Sequence, residues 1–268
     1  MKMYKKVMAA ALAGVMTVSM SATAFAADDD GYILKATNED SKSSDNDLVI
    51  AIEGSVSSMD PANIPDTNAI SATRGVYETL VSFDENQELT GKLAESWEVS
   101  DDSLTYTFKL RQGVKFQDGT DFNAAAVKAN YDRVVNKDNN LRQRRTFIVT
   151  NEDGSETPRV DSIETPDDYT LVIKLTQAWA PFINRLTQFC IISPAALEEY
   201  GNDIMNHPCG TGPYVCTEWE EGDHTSFKRN DDYWGDKPGV DTVTIKEVPE
   251  AGARTCLLYT SPSPRDTR

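Results

Sequence analysis

A mixed fold of helices and β-hairpins is what the sequence predicts, and three observations predict it. Two stretches alternate apolar and polar residues, a capped helical stretch lies between them, and no internal repeat or heptad run imposes another architecture. In residues 104–111, Leu104, Tyr106, Phe108 and Leu110 share one face, and Thr105, Thr107, Lys109 and Arg111 share the other. In residues 169–175, Tyr169, Leu171, Ile173 and Leu175 alternate with Thr170, Val172 and Lys174. A period of two buries one side of a sheet and leaves the other in water.

Taken in order, the first predicted strand is the apolar run Leu48-Val49-Ile50-Ala51-Ile52, followed by a loop of small residues through Asp60-Pro61. Residues 69–80 have helical spacing, with Ile70, Val76, Tyr77 and Leu80 as the apolar positions. Residues 96–99 and 104–111 form a hairpin about Asp101-Asp102-Ser103. Asp118-Gly119-Thr120 is a turn. Asn123 is placed to N-cap a helix through Asn136, whose stripe is Val127, Tyr131, Val134 and Val135. Residues 160–165 and 169–175 form a second hairpin about Pro166-Asp167-Asp168. Ser193-Pro194 opens a helix with a cap and an N1 proline, and Gly201 closes it. Residues 213–218 and 224–229 form a third hairpin about Glu221-Gly222-Asp223, and 240–248 is the last strand.

The 268 residues are 39% hydrophobic and 26% charged, an ordinary folding composition. The formal net charge is −17, with Lys2, Lys5 and Lys6 in a leader, so the rest is more acidic still. Such a surface repels phosphate backbones, and no basic patch with interleaved aromatics offsets it. Nucleic acid is therefore excluded as a partner. The densest basic cluster, Arg142, Arg144 and Arg145, reads as a solvated loop or helix end.

Residues 1–26 read as a signal peptide. The lysines form a positive n-region, residues 7–20 an apolar h-region, and Ala24-Phe25-Ala26 a cleavage site between Ala26 and Ala27. The h-region is shorter than the roughly 20 residues of a membrane span. Export to the periplasm or cell surface is expected. No cysteine stands near the cleavage site, so lipid attachment is not. Residues 27–46 are polar and acidic and read as a flexible linker.

The cysteines are Cys190, Cys209, Cys216 and Cys256. In an exported chain, a Cys209–Cys216 bridge across a loop and free thiols are both open readings. Only His207 and His224 offer imidazoles, and no C-x₂-C spacing occurs, so no metal site and no cofactor are expected. Catalytic motifs are absent: no G-x-S-x-G, H-E-x-x-H or Walker pattern occurs, and no catalytic residue is assigned. Asp101-Asp102 and Asp167-Asp168 read as turn residues. Gly210-Thr211-Gly212 lacks the Lys-Ser/Thr ending of a phosphate loop and is followed by a strand. Its glycines permit a tight backbone path, beside a ligand cleft or for structure alone. In Val56, Ser57, Ser58 and Met59, small polar side chains leave backbone N–H groups free to meet a ligand carboxylate or carbonyl, or form a plain strand-to-helix loop. Trp97, Trp219 and Trp234 read as packing anchors, and Trp179 as a partly exposed one.

Many separate stretches, in one order, carry a resemblance. They include Ser58-Met59-Asp60-Pro61-Ala62, Val76-Tyr77-Glu78-Thr79-Leu80-Val81 and Leu93-Ala94-Glu95-Ser96-Trp97. They continue through Leu104-Thr105-Tyr106-Thr107-Phe108, Gly113-Val114-Lys115-Phe116, Ile192-Ser193-Pro194, Gly210-Thr211-Gly212-Pro213-Tyr214 and Tyr233-Trp234. Over residues 48–250 the chain resembles the bacterial extracellular solute-binding proteins of family 5, the dipeptide, oligopeptide and nickel class. Gln117, Asp121, Cys209 and Ala125-Ala126 depart from that family's usual His, Pro, Val and acidic pair.

The resemblance implies a periplasmic-binding-protein-like lobe, the first of a two-lobed clamp, with additional β-hairpins. It implies an N-terminal fragment in which residues 47–254 form an incomplete lobe. Residues 255–268 resemble a translated sequencing-adapter tail and are set outside the fold. The implied function is to bind peptides or related small solutes as a monomer and deliver them to the membrane permease of an ABC importer. The same resemblance places Val56 to Met59 and Gly210 to Gly212 at the ligand cleft. A sensory or adhesive module of the same fold, and a secreted carboxylate-dependent hydrolase, are the alternatives.

Overall fold

The structure is a computed structural model and describes residues 26–27, 34–35 and 46–260. The expected leader and linker lie outside the described residues, apart from a short pairing of Ala26–Ala27 (β1) with Leu34–Lys35 (β2). From Asp47 the chain runs through β3 (Asp47–Ile52), a 3₁₀ turn at Pro61–Asn63 and α1 (Thr67–Thr73). Next come β4 (Val81–Phe83), β5 (Leu89–Gly91), β6 (Ala94–Val99), β7 (Thr105–Leu110) and α2 (Ala124–Val135). The middle holds α3 (Arg144–Phe147), β8 (Ile148–Thr150), β9 (Glu156–Pro158), β10 (Val160–Asp167) and β11 (Thr170–Leu175). The last part holds α4 (Phe182–Leu186), α5 (Pro194–Tyr200), β12 (Tyr214–Glu220), β13 (His224–Arg229), β14 (Thr242–Glu247) and α6 (Ala251–Thr260). None of the described helices is long and apolar enough to cross a membrane.

Two four-stranded sheets organise these elements. The first, in order β10-β11-β7-β6, is antiparallel throughout. Its register sets Leu171 beside Phe108 and Ile173 beside Tyr106. All four are buried, so the alternation in the sequence becomes one continuous apolar face. Helix α2 packs on β10 and contributes Val127 and Val134 to the same core. Each such side chain stabilises the fold by about 1.5–3 kcal/mol when fully buried. Asn123 caps α2 by accepting from the Ala126 N–H at 3.0 Å, and Ser193 caps α5 by accepting from Ala196. Buried Asn130 extends the pairing: its Nδ2 donates to the Ile192 carbonyl at 2.7 Å and its Oδ1 accepts from the Ile192 N–H at 3.0 Å.

The second sheet runs β12-β13-β14-β3. Strands β12, β13 and β14 are antiparallel, and β14 then pairs in parallel with β3, setting Val243 beside Leu48 and Ile245 beside Ile50. The first and last long strands thus close on each other. The loop after β3 is pinned to this sheet, because Val56 N–H donates to Glu247 at 2.7 Å and Trp219 Nε1 donates to the Val56 carbonyl at 2.9 Å.

One expectation needs amendment. The helix expected over 69–80 ends at Thr73. Beyond it the backbone is drawn into tertiary pairing: Gly212 N–H donates to Val76, Tyr214 N–H to Gly75 and Ile191 N–H to Glu78. Val76, Tyr77 and Leu80 are all buried, so they are apolar because the surroundings enclose them, not because they form a stripe. Two short hairpins, β4–β5 and β8–β9, carry no alternation long enough to read. Of the expected tail over 255–268, residues 255–260 continue α6 and 261–268 lie outside the described residues.

Candidate functional site

A cavity of about 520 Å³ opens beside α1 and the segment that follows it. Its six basic side chains come from five places: Arg74 after α1, Lys92 after β5, Arg142 and Arg145 around α3, Arg159 between β9 and β10, and Arg185 on α4. Among the described residues, the only carboxylate in the lining is Glu78. In a chain of net charge −17 this is a strong segregation of charge, and it favours an anion. Ile64, Ile70 and Trp179 supply apolar wall between the charges. Arg142 and Arg145, read from sequence as solvated, are exposed as expected, yet both face this space.

Glu78 does not compete for those cations as a free charge would. It is buried, and its oxygens accept from the Thr211 hydroxyl at 2.8 Å, the Tyr233 hydroxyl at 2.8 Å and Trp234 Nε1 at 2.7 Å. Lys92 Nζ lies 3.4 Å away. A buried carboxylate is tolerated when its lone pairs are filled in this way. The hub joins three of the sequence stretches that carried the resemblance: those at Val76 to Val81, Gly210 to Tyr214, and Tyr233-Trp234. Sequence reading gave Glu78 no role. The one signal was an acid inside a mostly apolar run.

Two residues of the cavity lining, Tyr77 and Arg159, each carry a buried polar atom with no hydrogen-bond partner, Oη and Nε respectively. An unpaired buried polar group costs about 1–3 kcal/mol. Burial pushes the Tyr77 phenol well above its usual range, so it stays protonated and able to donate. The Arg159 guanidinium lies over the Trp179 ring, 4.2 Å from its centroid. Trp179 is partly buried and packs in turn on Phe182.

The residues expected at a cleft do not line this cavity. Val56 and Met59 are fully buried. Ser57 and Ser58 line a second cavity of about 350 Å³, whose lining also holds the buried Asp60–Arg133 ion pair at 2.6 Å. Gly210, Thr211 and Gly212 are buried behind the large cavity. A Cβ on Gly210 would stand 2.2 Å from the Val76 carbonyl oxygen, and one on Gly212 2.5 Å from that of Gly75. Close backbone approach therefore requires glycine at both positions.

Cys209 and Cys216 are free thiols, so the bridge left open by their spacing is not formed. The intervening backbone is laid along Gly75 and Val76 by the Gly212 and Tyr214 hydrogen bonds. Burial pushes the Cys190 and Cys209 thiols up to about 12 and Cys216 to about 11. They are neutral thiols at physiological pH, unsuited to nucleophilic attack.

One group of ligand-type atoms occurs among the described residues, at the β12–β13 turn: Glu220, Asp223 and His224, within 4.8 Å of one another. His224 Nδ1 is 2.7 Å from Asp223, whose carboxylate raises the imidazole above its usual value. These groups are largely exposed and lie outside the cavity lining. Asp102 and Asp167 act as the turn residues expected, accepting from the Leu104 and Tyr169 N–H groups.

Residues 88–260 match the family model described as bacterial extracellular solute-binding proteins, family 5 Middle. The chain is 40% identical over 217 residues to the glutathione-binding protein GsiB of Salmonella typhi, covering 80% of this chain and 40% of that protein. It spans about two fifths of the length of the curated relatives it matches. Among solved structures, it resembles DppA from Helicobacter pylori in complex with the peptide STSA, with a TM-score of 0.67 and 31% identity. That match covers 80% of this chain and 45% of the other. It also resembles NikZ from Campylobacter jejuni in complex with Ni(L-His), with a TM-score of 0.70 and 27% identity over 80% and 42% of the two chains.

Proposed function

The chain belongs to the bacterial extracellular solute-binding proteins, family 5, and from that premise we propose that it binds short peptides or similar small solutes for an ABC importer. It would act outside the cytoplasm, delivering solute to a membrane permease after removal of residues 1–26. The observation that carries this reading is the cavity of about 520 Å³. It gathers basic side chains from distant parts of an acidic chain and mixes them with apolar wall. Solute pockets of this class run from about 300 to 1,000 Å³ and combine apolar lining with a few placed polar groups. GsiB is named for glutathione, and the DppA structure holds a peptide. Both ligands carry carboxylates.

A carboxylate-dependent hydrolase is poorly served by this cavity. Glycoside hydrolysis uses two carboxyl groups, and the lining offers Glu78 alone, with its oxygens already occupied.

The proposal is tested by thermal denaturation of the chain with reduced glutathione, the tetrapeptide Ser-Thr-Ser-Ala and nickel–histidine. A solute at about 100 times its Kd adds about 2.7 kcal/mol of stability. In a chain of this size that is a rise of roughly 5–10 °C. Glutathione or the peptide is expected to give such a rise at millimolar concentration. No rise with any of them at about 10 mM, the far end of weak binding, would remove the reading.

A further inference from the structure

We infer that the cavity holds its solute by a carboxylate, with Arg159 as the anchor and the Tyr77 hydroxyl as a second, uncharged contact. This rests on the solute-binding reading above and adds the chemistry of recognition. Among the described residues, three buried side-chain atoms have no hydrogen-bond partner: Tyr77 Oη, Arg159 Nε and Thr225 Oγ1. Two of the three belong to residues that line one cavity. An unpaired buried donor calls for an explanation, and a bound solute beside these two residues supplies one.

Arg159 is built to be held still. Its N–H donates to the Phe147 carbonyl at 2.8 Å, and its own carbonyl accepts from the Thr176 N–H at 3.0 Å and the Thr176 hydroxyl at 3.2 Å. The guanidinium then lies on the face of Trp179. Stacking of this kind uses the flat face of the cation and leaves its N–H edge for an oxyanion. That edge matches a carboxylate in a paired, planar geometry that an ammonium cannot reproduce. Arg142, Arg145 and Arg185 add positive field from other parts of the lining. The apolar surface of Ile64, Ile70 and Trp179 suits the carbon skeleton of a small organic acid or peptide better than a bare inorganic anion.

The test is a nuclear magnetic resonance titration of the complete chain, reading the arginine Nε–H signals. The Arg159 signal is identified by its loss in Arg159→Lys. The probes are reduced glutathione and Ser-Thr-Ser-Ala, each with its carboxylates free and with them blocked as ester or amide. Inorganic phosphate is the third probe. The free acids are expected to shift the Arg159 signal, and the blocked forms to bind at least about tenfold more weakly. Arg159→Lys should weaken the free acids by a similar factor. Tyr77→Phe should weaken them by about threefold without lowering Tm, because the hydroxyl it removes has no partner within the protein. Equal binding of free and blocked forms overturns the anchor and leaves the solute-binding reading standing. Binding of phosphate as tight as the acids overturns the carboxylate assignment. Absence of binding by any organic probe removes both readings together.

Discussion

Replacing Glu78 with alanine is expected to cost about 3–5 kcal/mol of stability, the range for breaking a buried charged network by removing one partner. The substitution strips the acceptor from Thr211, Tyr233 and Trp234 at once and leaves Lys92 without its nearby carboxylate. The Thr211 hydroxyl and the Trp234 indole N–H, losing this acceptor, each add a desolvation penalty of about 1–3 kcal/mol. A fall in Tm of about 10 °C or more should follow. Glu78→Gln keeps one carbonyl acceptor and the shape, and should fall between the two. Equal stability of Glu78→Ala and the parent chain would mean that the hub does not hold the cavity wall.

Gly212→Ala is expected to be at least as damaging, for a steric reason. The new methyl would meet the Gly75 carbonyl oxygen at 2.5 Å and Val76 backbone atoms at 2.7 Å. No side-chain rotation relieves a clash with backbone. The Gly212 and Tyr214 hydrogen bonds to Val76 and Gly75, at 2.8 Å and 2.9 Å, must therefore break or lengthen. Overpacking alone costs about 1–3 kcal/mol, and the lost buried hydrogen bonds bring the total to about 3–5 kcal/mol. Gly239→Ala is the matching control. Nothing lies within 4 Å of its Cβ, so its effect should stay within about 0.5 kcal/mol. Similar stabilities for the two variants would contradict the close-approach account of the Gly210-Thr211-Gly212 stretch.

Both predictions concern residues that support the cavity, Glu78 from its lining and Gly212 from the backbone beside it, and this explains what the sequence could and could not reveal. The sheets were legible because alternation survives in a single strand: Tyr106 and Phe108 needed no partner to declare a buried face. Helix α2 was legible because Asn123 announces its start. The segment after Thr73 was not, because its apolar residues answer to Gly212, Tyr214 and Ile191, which lie more than 100 residues away in the chain. The cavity was less legible still. Arg74, Arg142, Arg159 and Arg185 belong to separate elements, and nothing local marks them as neighbours. Motif reading drew attention instead to Gly210 to Gly212, whose close contacts are with the backbone behind the site.

The measurement that tests the central claim most directly is to locate a bound solute on the chain. Backbone amide shifts would be followed by nuclear magnetic resonance during titration with reduced glutathione. The account predicts changes concentrated at Arg74, Glu78, Lys92, Arg145, Arg159 and Arg185, with the Glu220–His224 turn unmoved. Changes confined to the second cavity, at Ser57, Ser58 and Asn202, would contradict it and put the solute elsewhere on the lobe.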